Sequence, residues 1–357
     1  MAPSATNTRA ETNWSVDRAV SLPEIWALVA AFSGLVGAWR LTGVCRAARE
    51  GAKGWLGTLP GLVVCGGFTA HGRTRNVWRL NLATLRWAPM PALVTTRDEH
   101  ACCAVRGTLV VLGGITSDGS YISCVEMLSK GGEFAELPPL SCGRIHGAAA
   151  IEIEESDSAK GQVLLIGGHT HNSGTVSTTV RLVDLATGVC TPQSALLHER
   201  YAFASTGLSD GRIVCAGGSF VVGHTTAELW SPPKQGATDA AWTWRMLPAL
   251  SVGRHDCCGC VMSDGRFALL GGVSNGVQAS SCEVLSIGVG KHWEALPPMH
   301  DSRRGFACAA VAGCIIVAGG FHRTTTEVYD EVFDRWLRLP CNLPHDGVLG
   351  WMGSALL

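Results

Sequence analysis

Fifteen cysteines and twelve histidines give this chain its widest chemical range. The cysteines gather at Cys102-Cys103 and at Cys257-Cys258 with Cys260, and His169 and His171 follow a Gly-Gly pair. A structural zinc site needs four such ligands converging, usually as two Cys-x₂-Cys steps or as Cys with His. Here the thiols alternate with small residues in the runs ACCAV and CCGCV, where successive side chains of a strand point to opposite faces. That pattern predicts cysteine used as a small buried apolar residue, with no metal and no cofactor. His169 and His171 read as surface loop residues. No Gly-x-Ser-x-Gly nucleophile, phosphate-binding loop or dinucleotide fingerprint is present, because the Gly-Gly pairs end apolar runs without opening helices. A non-catalytic protein is expected.

The composition narrows the class further. Among 357 residues, 46% are apolar and 16% charged, which excludes a largely disordered chain. With 28 basic against 29 acidic residues, no global field draws the protein to nucleic acid or to an anionic membrane, and neither is expected as a partner. An odd cysteine count in so long a chain argues against a disulfide scaffold and for a reducing compartment, cytoplasmic and/or nuclear. The apolar run between Glu24 and Arg40 is fifteen uncharged residues. That is short of the ~20 of a spanning helix.

A repeat must position whatever chemistry there is. Short apolar runs end in Gly-Gly six times, at Gly66, Gly113, Gly167, Gly217, Gly271 and Gly319, with spacings of 47, 54, 50, 54 and 48 residues. Periods of this length with an all-β pattern predict one four-stranded blade per repeat. Most repeats add an acid on the third strand (Glu126, Glu228, Glu283, Glu327), then an aromatic before Leu-Pro or Met-Pro (Trp87, Phe134, Trp244, Trp293, Trp336). A basic residue follows, ahead of a strand of small residues: Arg97, Arg144, Arg200, Arg254 and Arg303. Blade 3 departs, with Arg181 at the acid position and Val189 at the aromatic one. Innermost strands converge on a central channel and must be small, and paired glycines let backbones approach closely.

In these phrases the chain resembles the kelch-repeat family, from about residue 59 to its C-terminus. The resemblance implies a six-bladed β-propeller over 59–357. GWMGSALL (350–357) is a small-residue strand without a blade, so it is expected to complete blade 1 and remove two free edges. Kelch propellers bind through the rim that carries the Gly-Gly turns. Here it would present His71, Arg97, Tyr121, Arg144, His169, Asn172, Arg200, His224, Arg254, Asn275, Arg303, His322 and Arg323 to a target protein. Five blades supplying an Arg make a basic rim, suited to an acidic or phosphorylated peptide. The same arginines could instead bridge blades through the repeat acids or backbone carbonyls. The insertions 152–161 and 231–241 are expected as solvated loops on the other rim.

Upstream, 1–20 reads as a polar, disordered tail and 21–58 as helical. Ile25, Leu28, Val29, Phe32, Leu35, Val36 and Trp39 repeat at helical spacing. Ser21 is the expected N-cap, Pro23 lies in the first turn, and Ser33-Gly34 and Gly37 should interrupt the helix. Leu22-Pro23, Glu24-Ile25, Val29, Phe32, Leu35, Leu41 and Val44-Cys45-Arg46 resemble an F-box, one residue short between Pro23 and Glu24 and with Ala48 where that motif closes on an aromatic. The resemblance implies that Leu22, Pro23, Ile25, Val29, Phe32 and Leu35 face the adaptor subunit of a cullin-based (SCF-type) ubiquitin ligase. The chain is then expected to be that ligase's substrate-recognition subunit. The competing expectation is a kelch interaction scaffold, cytoskeletal or signalling, whose helices cap the propeller. Exposure of the helical apolar face separates the two.

Overall fold

The computed structural model describes residue 16 and residues 18–153, 156–170, 176–219, 224–231, 242–288, 292–345 and 349–357. Most of the polar tail, the centres of both long insertions, and His171 and Asn172 lie outside these residues. Six four-stranded antiparallel sheets form the blades of a propeller. In blade II, Ala101–Val105 lies innermost, followed outward by Thr108–Leu112, Val125–Leu128 and Phe134–Leu137. Blades III to VI repeat this order, with inner strands Ala149–Ile153, Ala204–Gly207, Cys258–Val261 and Ala307–Val311. Blade I takes its inner strand from the other end of the chain. Gly353–Leu356 pairs with Leu62–Cys65 in the register Leu62↔Leu356 to Cys65↔Gly353.

The core is a ring of interfaces, each built by facing sides of neighbouring blades. Leu270, Val284, Ile315 and Val317 join blades V and VI, and Val110, Leu112, Val163 and Leu165 join II and III. The outer aromatics wedge these seams apart at the rim of the disc. Trp293 and Trp336 are buried, and each indole donates to a proline carbonyl of the preceding blade's Leu-Pro phrase, Pro248 at 2.9 Å and Pro297 at 2.8 Å. Val189, at the aromatic position of blade III, is half exposed.

Glycine pairs occupy the tightest approaches. At Gly217, φ is +67° and a Cβ would stand 2.6 Å from the Arg254 carbonyl, so no other residue fits there without moving backbone. That carbonyl accepts from the amide of Gly218 at 2.8 Å, tying one blade to the chain entering the next.

Residues 18–20 are helical, and among the described residues two longer helices follow before the propeller, α1 (Pro23–Leu41) and α2 (Arg46–Thr58). Pro23 opens α1, as its fixed φ favours. The N-cap is Leu22 without a side-chain bond, not Ser21, whose hydroxyl donates to Arg18 O instead. Of the expected interruptions Gly34 leaves helical geometry, at φ +69°, so α1 is two helical segments joined at a kink, as the interruption predicts, while Gly37 stays helical. The second helix starts at Arg46, where the Cys45 sulfur accepts from the Ala48 amide.

The bend divides the work of α1. Leu35, Val36 and Ala38, with Ala52 and Leu56 of α2, join blades VI and I in one cluster with Leu62, Leu80, Val311 and Ile316. The Leu35 amide donates to Ala312 O and the Trp39 indole to Leu82 O, so the helices sit on the rim opposite the Gly-Gly turns. By length and composition α1 could cross a membrane, contrary to the expectation from its shorter uncharged run. In this fold its second half is committed to the seam where the ring closes.

Four arginines hold the blades together internally. Arg97, Arg200, Arg254 and Arg303 are buried, each paired with the acid of its blade, Glu126, Glu228, Glu283 and Glu327. Breaking one such pair leaves a buried charge uncompensated, whereas removing both charges does not. Arg254→Met is therefore expected to lose about 3–5 kcal/mol, and Arg254→Met/Glu283→Leu much less than the sum of its single changes. Urea unfolding of the three variants measures this.

Candidate functional site

The mouth of the channel is framed by backbone. Two residues past each Arg position stand Glu99, Gly147, Ala202, Asp256, Gly305 and Trp351, all with φ between +50° and +62°. Each amide donates to the carbonyl of the equivalent residue one blade earlier: Gly147 to Glu99, Ala202 to Gly147, and so on until Glu99 donates to Trp351, at 2.7–3.1 Å throughout. Six hydrogen bonds close a circle. Inside it lies a pocket of about 140 Å³ lined by Glu99, His100, Tyr201, Asp256 and Trp351. The pocket continues into a channel of about 520 Å³ walled by Ala, Cys, Gly and Ser of the inner strands.

Two walls of this mouth carry functional groups. On one, the Glu99 carboxylate accepts from the Tyr201 hydroxyl and lies 2.9 Å from His146 Nδ1. Tyr121 stacks on the His146 ring at 4.3 Å, and His169 packs beside it at 5.1 Å. Burial, and beside it the Glu99 charge, push the Tyr201 phenol up, so it remains a donor. On the other wall the Trp351 indole donates to Asp256 at 3.2 Å. Its ring meets Phe321 at 5.1 Å and Phe68 at 6.3 Å. Arg304 lies over both Phe321 and Trp351, at 4.2 and 5.4 Å. Among the described residues no Lys or Arg pairs with Glu99 or Asp256.

The basic rim expected from the sequence does not form. Arg97, Arg200, Arg254 and Arg303 point inward, where each guanidinium donates to the carbonyl of a Gly-Gly turn, as Arg200 does to Gly217 O at 2.6 Å. Their physical task is to satisfy buried carbonyls and a buried carboxylate, so they offer nothing to a ligand. Burial lowers the Arg303 pKa even beside Glu327. Arg144 is off this register: Ile145 holds the structural position, its carbonyl accepting from Gly114, and Arg144 is exposed. Arg181 replaces the acid in that same blade, so both halves of the pair are absent together.

Of the remaining candidates, Tyr121 and His169 meet at the mouth, while His71, Asn275 and His322 are exposed on the outlying turns. Arg323 and His224 are half-buried, the imidazole of His224 depressed by burial. Glu99, Asp256, Arg304, Phe321 and Trp351 were missed. Their signal is position: each lies within two residues of a Gly-Gly pair or of an Arg-equivalent site.

The second candidate surface is the first half of α1. Leu22, Ile25, Leu28 and Val29 are 43%, 39%, 59% and 37% exposed, and Phe32 is 93% exposed. Pro23 is half-buried. Leu35, expected on this face, is instead fully buried against the propeller, because the bend at Gly34 turns the helix there. Among the described residues no group of three His, Cys, Asp or Glu could hold a metal ion.

Residues 302–342, the last blade, match the kelch motif. Over 56 aligned residues the chain is 43% identical to an F-box/kelch-repeat protein of Arabidopsis thaliana, covering 14% of this chain and 15% of that relative's length. The other five blades repeat the Gly-Gly phrase found within 302–342.

Tyr201→Phe keeps the ring and removes one of the two donors to Glu99. A hydrogen bond to a charged group is worth about 1.5–3 kcal/mol, so unfolding stability should fall by about that amount. The same urea titration on the wild type gives the reference.

Proposed function

We propose that this kelch-repeat propeller is the substrate-recognition subunit of a cullin-based ubiquitin ligase, acting in the cytoplasm or nucleus. The target protein sits at the propeller mouth, and the first half of α1 docks on the adaptor. The observation that carries this reading is the division of α1. Its second half is consumed by the propeller core, yet Leu22, Ile25, Leu28, Val29 and Phe32 stay uncovered. Five large apolar residues exposed along about three turns at the start of the helix are costly in water and mark a contact surface. The partial likeness to an F-box/kelch-repeat protein favours an adaptor as the occupant. The chain itself supplies binding; transfer chemistry belongs to its partners.

At the mouth, the ligand this geometry suits is a peptide segment of mixed character. An apolar or aromatic side chain fits against Phe321 and Trp351, and a carboxylate or phosphate beside Arg304. This replaces a broadly acidic ligand, since four of the five expected arginines are internal.

The second reading, a kelch scaffold with a helical cap, is favoured by the burial of Leu35, Val36, Ala38 and Leu56. One experiment separates the two. Full-length chain is titrated with the purified adaptor, beside Ile25→Asp and Phe32→Asp variants. Truncation or charging of a docking centre costs at least ~2 kcal/mol per residue, so affinity should fall at least 30-fold in each variant. No binding by folded wild type leaves the scaffold reading. At the other face, peptides selected on the wild type from a displayed library should lose at least tenfold in affinity for Trp351→Ala and for Arg304→Ala.

A further inference from the structure

The channel wall holds chemistry that target binding does not use. Cys65 of blade I and Cys102 of blade II place their sulfurs 3.7 Å apart. His100 Nε2 lies 3.5 Å from the Cys65 sulfur and accepts the Gly353 amide at 3.2 Å. Cys65 is itself the register partner of Gly353, so these groups sit where the closing strand joins blade I. Cys65 is buried, whereas Cys102 is half-buried and lines the channel. Peroxide entering from the mouth therefore meets one sulfur of the pair with the other directly behind it.

We propose that Cys65 and Cys102 are a peroxide-oxidised pair that forms a disulfide between blades I and II at the closure of the ring. The thiolate the pair shares attacks one oxygen of a hydroperoxide and the O–O bond breaks. With hydrogen peroxide as the oxidant, hydroxide leaves, becomes water by taking up the proton that the pair released on ionising, and a sulfenic acid remains. The second thiol then attacks the sulfenic sulfur, the S–O bond breaks, and hydroxide departs with the thiol proton as water. Two thiols and one peroxide yield one disulfide and two waters. The Cys102 thiol, donating to the Cys65 sulfur, holds Cys65 down at about 6 against the effect of burial, so the pair carries a thiolate near neutral pH, and because either sulfur can hold the shared proton the charge reaches Cys102, where peroxide arrives. The sulfurs must close from 3.7 Å to about 2.05 Å, a rotamer-scale movement in a site already in contact.

Full-length reduced protein is treated with one equivalent of hydrogen peroxide, its free thiols are alkylated, and peptides are mapped by mass spectrometry. The expected product is a Cys65–Cys102 cross-linked peptide, about 2 Da below the sum of the two reduced peptides and split by dithiothreitol. Cys102→Ala, which changes a channel-lining position, should abolish it and leave Cys65 alkylatable. Recovery of both cysteines alkylated, their conversion to sulfinic or sulfonic acids, or a disulfide to Cys308 in place of this one would overturn the proposal. So would a Cys65–Cys102 link that forms only after urea denaturation.

Discussion

The propeller depends on guanidinium groups buried at the entrances of four of its blades. In blade IV, Arg200 donates to Gly217 O and Thr226 O, while its partner Glu228 accepts from the amides of Leu197 and His198 as well as from Arg200. One side chain thus satisfies the end of the second strand and the start of the third. Its acid satisfies the loop arriving from the blade before. The main-chain carbonyl of the same arginine accepts from Gly168 of blade III. Turns that would otherwise bury unpaired carbonyls are closed by one charge pair, and the fixed turns in turn set where the mouth residues stand. Blades I and III lack the pair, carrying Leu349 with Trp78 and Ile145 with Arg181, but keep the main-chain link.

The helices are not an appendage. Their buried residues share one cluster with blades VI and I, the interface that closure of the ring creates. At Gly51 a Cβ would stand 2.1 Å from Pro23 O, so the two helices touch through backbone, and α2 leads into Leu62 after only three residues. The exposed first half of α1 is consequently held rigidly against the propeller, on the face opposite the mouth. Anything bound at one face keeps a fixed orientation to anything bound at the other.

Much of this was legible in the sequence because a repeat carries its own controls. Six Gly-Gly pairs at similar spacing specify six blades, and the aromatic-Leu-Pro phrase locates the outer strands. The misreading of the arginines has a physical origin. An arginine at a loop-to-strand junction is normally solvated, and only its coincidence with an acid blade by blade marks it as internal. In blade III the neighbouring Arg144 hid this coincidence, because it stands one residue before Ile145, which holds the structural position. The helix was misjudged for a different reason. Hydrophobic spacing follows large side chains, but the face of α1 that packs includes Ala30 and Ala38 and turns at Gly34, while the large Leu28 and Phe32 point outward. The mouth residues Glu99, Asp256 and Trp351 share a position but no residue type, so composition alone gives them no signature.

The closed circle of six amides at the mouth makes that opening a macrocycle, a crown of peptide groups whose bore is set by chain geometry and not by side chains. Each member donates its N–H to one neighbour and accepts from the other, so no amide donor is left over for a guest. Recognition at this aperture is thereby handed to side chains, the six substituents that the crown displays (two carboxylates, an indole, a methyl and two hydrogens) and the groups packed around them, such as Phe321 and Arg304. Exchanging those substituents can retune what enters without altering the size of the gate.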